Sequence, residues 1–205
     1  MTEKCVKLMN KGISLAPLIV MVTFAHHGCV TSFPGYETIK PGTYQHKLNV
    51  RVTGSRRSYL LHIPRGYDPA RPTPLVVVLH GAFDTAKEVE RQTGLSDLAD
   101  REGFFALYPN GITLFGWLQH WNARHCCGKA MKDGIEDLGF VAGVIEQAQV
   151  HLNVDPKRIY MVGYSNGGML VYLFASEKPE TLSAVAISRI NSPQAIRSEV
   201  FMQRI

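Results

Sequence analysis

The run Leu75-Val76-Val77-Val78-Leu79 constrains this chain more than any other feature. Consecutive β-branched and aliphatic residues make a strand that is apolar on both faces, and such a strand belongs in the middle of a sheet covered on both sides. The segments around it read the same way. Leu48 to Val52 and Ser58 to Ile63 are expected as short strands joined by a turn at Gly54-Ser55. Pro64, Gly66, Pro69, Pro72 and Pro74 then punctuate a loop that leads into the central strand.

Downstream, residues from Thr85 to Arg101 read as helical, with Leu95, Leu98 and Ala99 on one face. Phe104 to Tyr108 is a short strand stopped by Pro109-Asn110-Gly111. Ile112 to Met131 has no clean period, carries both tryptophans and is expected as a long loop. Ile135, Leu138, Val141, Ala142, Ile145, Ala148 and Leu152 then recur at helical spacing, with Asp133 placed as an N-cap. Asn153, Asp155 and Pro156 break that helix. Arg158 to Gly163 returns to strand, Asn166 to Ser176 to helix, and Leu182 to Ile187 is a last apolar run. Strand and helix in alternation mean parallel strands joined by right-handed crossovers, hence an α/β fold.

Composition supports a buried core: of 205 residues, 45% are hydrophobic and only 19% charged. The net charge of +5 is spread along the chain, and pairs such as Arg56-Arg57 make no basic stripe with interleaved aromatics, so nucleic acid is not an expected partner. The N-terminus is different. Lys4, Lys7 and Lys11 precede the uncharged stretch Ile13 to Ala25, which suits a secretory signal and falls short of the roughly 20 apolar residues that span a bilayer. Residues 1–28 are therefore expected as a signal peptide, and 29–205 as one domain of a secreted or periplasmic protein. Thr23-Phe24-Ala25 offers one cleavage site. Gly28-Cys29 resembles the end of a bacterial lipobox and would leave a lipid anchor on Cys29, although His26 and His27 are foreign to that motif.

Gly163-Tyr164-Ser165-Asn166-Gly167 has the G-x-S-x-G pattern. It joins the end of the strand Ile159 to Val162 to the start of a helix, which is the setting a nucleophile elbow requires. Ser165 is the expected nucleophile. The backbone N–H of Asn166, at the helix N-terminus, would form half of an oxyanion hole, and that of Ala82, in the loop His80-Gly81-Ala82 after the central strand, the other half. His80 itself is expected to shape this loop and not to act as base. His120-Trp121-Asn122-Ala123-Arg124-His125-Cys126-Cys127 offers metal-binding atoms, but adjacent cysteines seldom reach one tetrahedral ion and no second ligand pair stands at finger spacing. Neither metal nor cofactor is expected.

The stretches PLVVVLHG (Pro74 to Gly81), LADREGFFALYPNG (Leu98 to Gly111), WNARHCCG (Trp121 to Gly128), IEDLGFV (Ile135 to Val141) and VDPKRIYMVGYSNGGM (Val154 to Met169) resemble, in order, the esterase family of polyhydroxybutyrate depolymerases and feruloyl and acetylxylan esterases. The resemblance covers roughly residues 58 to 187. It implies an α/β-hydrolase fold, a three-layer sandwich with a mostly parallel sheet, and a secreted serine esterase acting on polyester or plant-polysaccharide esters. It also implies that Trp121 walls the acyl or alcohol pocket and offers an aromatic face to substrate. Asp137 falls on a family position and reads as a solvated or loop-bracing carboxylate; Cys126 and Cys127 either bridge each other through a strained eight-membered ring or pair elsewhere, one of them with a partner in the missing part of the chain.

In this fold the triad runs Ser, then Asp or Glu, then His along the chain. After Ser165 the sequence contains no histidine and no aspartate, and its later acids are Glu177, Glu180 and Glu199. The chain is therefore expected to be the N-terminal portion of such an esterase, nearly inactive alone, with an exposed sheet edge beyond its last apolar run. The alternative is a non-catalytic remnant or carbohydrate-surface binding module; a peptidase of the same fold is a third option.

Overall fold

The central run forms the strand β3 (Thr73–Leu79), and its neighbours show why both of its faces are apolar. In this structure, a computed structural model that describes residues 39–49, 56–113, 118–126, 128–188 and 201–204, β3 lies between two parallel strands. These are β4 (Phe105–Pro109) and β7 (Val154–Tyr164). The expected leader, Cys29, Trp117 and Cys127 lie outside the described residues.

Beyond β4 the sheet continues antiparallel through β2 (Arg56–Ile63) to β1 (Gly42–Asn49). Beyond β7 it continues parallel to β8 (Ala184–Ser188). The strand order is thus β1-β2-β4-β3-β7-β8 with one further strand at the end. That strand, β9 (Phe201–Arg204), runs antiparallel against Ala184 to Ile187. The edge of β8 is therefore occupied over those four positions and not left open as the sequence suggested, because a segment with no readable period supplies backbone partners there.

Side chains alternate along β3 in the manner a strand dictates. Leu75, Val77 and Leu79 enter one core with Trp121, Phe140, Val144, Leu170 and Phe174. Val78 enters a second with Ala86, Val89, Leu95, Ala99 and Tyr108, against which Val76 packs. The first core lies under α4 (Asp137–His151) and α5 (Asn166–Glu177), the second under α1 (Ala86–Thr93) and α2 (Leu95–Glu102). Helices on both faces of a mainly parallel sheet make the three-layer α/β architecture that the sequence implied.

Local chemistry moves several boundaries. The single helix expected from Thr85 to Arg101 is two, because Gly94 takes a left-handed conformation (φ 61°) that ends α1, with its N–H donating to Glu90 O at 3.1 Å. Thr85 caps α1 by accepting from the Glu88 N–H (3.2 Å). The irregular stretch after Gly111 holds a small antiparallel pair, β5 (Ile112–Thr113) and β6 (Gln119–His120), and a short helix α3 (Gly128–Lys132). Asp133 does not cap α4. It pairs with Lys129 one turn back, and Glu136 occupies the N-cap position. The first strand also begins earlier than Leu48, at Gly42, because His46 interrupts the apolar alternation of Tyr44 and Leu48.

Candidate active site

Ser165 stands at the junction of β7 and α5 with φ 50° and ψ −122°, a conformation that non-glycine residues seldom adopt. Its side chain is exposed at the C-terminal end of the parallel strands. Such strain costs on the order of 1–3 kcal/mol and persists only where the surroundings over-determine it. The neighbouring glycines supply that determination. A Cβ at Gly167 would lie 2.4 Å from His80 O and 2.5 Å from Leu79 O, so α5 starts against the end of β3. A Cβ at Gly163 would meet the Gly167 backbone at 2.6 Å, and one at Gly168 would meet Ile187 at 2.8 Å. From the other side, the Ser165 N–H donates to Ser188 O of β8 (3.1 Å).

The loop after β3 is held against this elbow by independent ties. Gly81 packs so closely under the Tyr164 ring that a Cβ there would lie 2.5 Å from it. The Tyr164 hydroxyl donates to Asp84 Oδ2 at 2.8 Å, and the Phe83 N–H donates to Gln119 O of β6 at 2.7 Å. The loop carrying Ala82 is thus pinned to the turn carrying Asn166, the two residues whose amides the sequence assigned to an oxyanion.

His80 lies beneath, fully buried. Its Nε2 accepts the Gly111 N–H (2.9 Å), so the proton resides on Nδ1, which donates to Gly81 O (2.7 Å). Desolvation pushes its pKa down to about 4. A neutral imidazole with both nitrogens engaged is a brace and cannot reach a serine.

Trp121 corrects an expectation. It offers no face to substrate, because it is wholly buried in the core under the site. Its indole N–H donates to His80 O (2.8 Å), its backbone N–H donates to Asn166 Oδ1 (2.8 Å), and its carbonyl accepts from Asn166 Nδ2 (3.2 Å). The hydrophobic ring is sunk so that its one polar group meets a strand-end carbonyl. Asp137 is likewise not solvated. It is buried, accepts from Arg57 Nη1 (2.5 Å) and from the Asn122 N–H (2.6 Å), and thereby fixes the segment that carries Trp121. Arg57 also donates to Asn110 O (2.8 Å), and its guanidinium carbon stands 3.9 Å from the centre of the Phe140 ring. Burial raises the Asp137 pKa, against the opposing pull of Arg57.

His120 is buried, with Nε2 accepting the Ala130 N–H (2.8 Å). His62 bonds Thr43 and Asp100, and His46 stacks on Tyr59. His151 sits at the last residue of α4 beside Gln147, and His125 is exposed in the Trp121 loop. Among the described residues, none of these rings bonds the Ser165 hydroxyl. Cys126 is disulfide-bonded, and no described cluster of three His, Cys, Asp or Glu side chains forms a metal site.

Apolar surface beside Ser165 comes from residues that sequence reasoning passed over. Phe83, 63% exposed, directly follows Ala82, and Met169, 51% exposed, stands four residues past Ser165 on α5. The spacing of four, which puts two helical residues on one face, was the available signal for Met169.

Comparisons with known proteins agree with this fold. The chain is 34% identical over 150 residues to the NocK protein of Nocardia uniformis subsp. tsuyamanensis, covering 71% of this chain and 42% of NocK. It is 30% identical over 136 residues to the bifunctional acetylxylan esterase/xylanase XynS20E of Neocallimastix patriciarum (66% and 18% covered). It is 25% identical over 186 residues to poly(3-hydroxyalkanoate) depolymerase C of Paucimonas lemoignei (87% and 39% covered). The chain spans less than half the length of these three relatives. Among solved structures, an acetyl xylan esterase from Aspergillus awamori shares the fold with a TM-score of 0.56 at 13% identity, covering 77% of this chain and 57% of that one. The family model described as esterase PHB depolymerase matches residues 57–196, so the chain belongs to that family of α/β-hydrolase esterases.

Proposed function

We propose that this chain carries the nucleophile and oxyanion hole of an exported carboxylic-ester hydrolase. In this reading Ser165 Oγ attacks the ester carbonyl, and the C–O bond that forms turns the carbonyl oxygen into an oxyanion. The backbone N–H groups of Ala82 and Asn166 stabilise it, collapse releases the alcohol, and water then hydrolyses the Ser165 acyl-enzyme. The names of the relatives point to polyester or plant-polysaccharide esters as substrate. Phe83 and Met169, in place of Trp121, are the apolar surface for the acyl group. The observation that carries the reading is the exposed Ser165 at positive φ, with Gly167 seated against the carbonyls of Leu79 and His80.

A serine hydroxyl without a base is a poor nucleophile at neutral pH. No described histidine bonds Ser165, and no histidine follows it in the 205 residues. The chain by itself is therefore proposed to turn over slowly, with the oxyanion hole and binding leaving roughly 10³–10⁴ of acceleration over water. Export is proposed from residues 1–28; among the described residues no helix is long and apolar enough to cross a membrane. The test is a fluorophosphonate probe on the purified chain, with p-nitrophenyl acetate turnover in parallel. Labelling mapped to Ser165 and lost in Ser165→Ala supports the nucleophile. A folded chain that never labels supports the non-catalytic binding module instead. Esterase turnover at ordinary enzyme rates, abolished by Ser165→Ala, would refute slow turnover.

A further inference from the structure

Away from the elbow, on the face of the sheet covered by α1 and α2, polar side chains link the edge strand β1 to both helices. Thr43 on β1 lies opposite His62 on β2, and its Oγ1 stands 2.9 Å from His62 Nδ1. The other ring nitrogen, Nε2, stands 3.1 Å from Asp100 Oδ1 on α2. The Arg65 N–H donates to that same oxygen (2.9 Å), and Arg65 Nε donates to Asp100 Oδ2 (2.8 Å). On the far side of Thr43, Glu90 Oε1 on α1 accepts the Thr43 hydroxyl (2.7 Å) and the Ser96 hydroxyl (2.8 Å). The Ser96 oxygen in turn meets the hydroxyl of the buried Tyr108 at 2.9 Å.

Counting protons decides the state of the ring. An ionised carboxylate only accepts. Asp100 therefore takes a proton from Nε2, and Glu90 takes the single hydroxyl proton of Thr43. Nothing remains for Thr43 to give to Nδ1, so Nδ1 donates to the Thr43 oxygen. With both carboxylates ionised, the complete set of bonds thus requires the doubly protonated, cationic imidazole. His62 is only 6% exposed, and its charge is met by Asp100 directly and by Glu90 through one hydroxyl. Burial pushes the Asp100 pKa up, but the Arg65 N–H and the His62 ring outweigh it and hold it below the ordinary carboxylate range. The charged groups bonded into the cluster are Asp100 from α2, Glu90 from α1 and Arg65 from the loop after β2; the β4 partner of His62, Ala106, carries none. Loss of one proton from the ring leaves Nδ1 and Glu90 Oε1 competing for one Thr43 hydroxyl proton, so one of the two bonds at Thr43 is lost.

We propose that the second proton on His62 is a latch that fastens β1 to α1, closed while the ring is cationic and released as pH rises through the titration of that ring. β1 ends the sheet and is hydrogen-bonded, among the described strands, to β2, so the Thr43 bridge to α1 is a second fastening on an edge strand. The bond set belongs to the protonated ring, so its contribution is present on the acid side of the transition and is lost on the alkaline side. The inference does not depend on Ser165 being a nucleophile.

The experiment follows the isotope-labelled full chain by NMR from about pH 5 to about pH 9. Ring nitrogen shifts report the protonation of His62, and amide hydrogen exchange from Thr43 to Lys47 is read as protection factors, which remove the intrinsic pH dependence of exchange. Protection in β1 is expected to fall about fivefold across the His62 transition, the worth of one such hydrogen bond. Thr43→Val keeps the branched shape at an exposed strand position and removes the hydroxyl; its β1 protection should be low and show no step at that transition. Thr43→Ser should restore the step. A parent chain with no step in β1 protection at the His62 transition overturns the proposal, as does a step of equal size in Thr43→Val. A His62 ring whose protonation does not change over this range overturns it too.

Discussion

His80 makes the candidate site acid-labile, and the size of the effect follows from its burial. The folded pKa is about 4, against 6.5 for the free side chain. A depressed histidine pKa means that the unfolded chain binds a proton which the folded chain refuses. The neutral ring's contribution is fully present above 6.5 and is lost as pH falls from there toward 4, at about 1.4 kcal/mol per pH unit where only the unfolded state is protonated. From about pH 7 to about pH 5 this amounts to about 2 kcal/mol, and to about 3 kcal/mol at the lower limit. Protonation would also replace the acceptor lone pair at Nε2 that meets the Gly111 N–H, so the loop before Ala82 should loosen with it. Urea unfolding followed by circular dichroism at several pH values gives the slope. His80→Gln keeps an acceptor for Gly111 but cannot titrate. It should be less stable at neutral pH and yet lose about 2 kcal/mol less on acidification than the parent. Parallel pH profiles for the two proteins would refute the reasoning.

Gly167→Ala places a methyl group 2.4 Å from His80 O; overpacking of about 1–3 kcal/mol is expected, with α5 displaced and fluorophosphonate labelling at Ser165 slowed, read by melting temperature and labelling rate. Asp137→Ala leaves Arg57 buried without its counter-charge and should cost about 3–5 kcal/mol in a denaturant titration, while the double variant Arg57→Met/Asp137→Leu should recover much of the loss. Tyr164→Phe removes the 2.8 Å bond to Asp84; about 1 kcal/mol of stability should go, with a larger proportional fall in Ser165 labelling, because the loop carrying Ala82 loses a tie to the turn carrying Asn166.

The sequence revealed the features that recur with a period or a fixed spacing. The Leu75 to Leu79 run announced a strand covered on both faces, and G-x-S-x-G between a strand and a helix announced the elbow. What stayed hidden depends on contacts between distant residues. Arg57 and Asp137 are 80 positions apart, and neither position carries a mark that it will be buried. Trp121 read as a pocket wall because an aromatic residue in an aperiodic loop has no pattern to say which way it faces; its indole N–H found a strand-end carbonyl below and the ring followed. β1 was misplaced because His46 stands between Tyr44 and Leu48 on its inward face, so the apolar alternation that marks a strand is interrupted there.

These buried ties explain how a strained serine is held without a cap of its own. α5 begins without a side-chain cap at Ser165, and the first turn of the helix is instead fixed from outside. Asn166 is clamped by the backbone of Trp121, Trp121 by His80 O, and the Trp121 segment by Asp137 through Asn122. Each link joins an element that packs in the core to one that reaches the surface at Ser165. Buried hydrogen bonds of this kind, made where the local dielectric is low, rigidify the groups they join. Loss of one link should therefore be felt at Ser165 even when the residue removed never touches it. By the same logic the Arg57 and Asp137 pair persists despite its desolvation because it orients the loop, and a hydrophobic replacement should restore stability without restoring the position of Asn166.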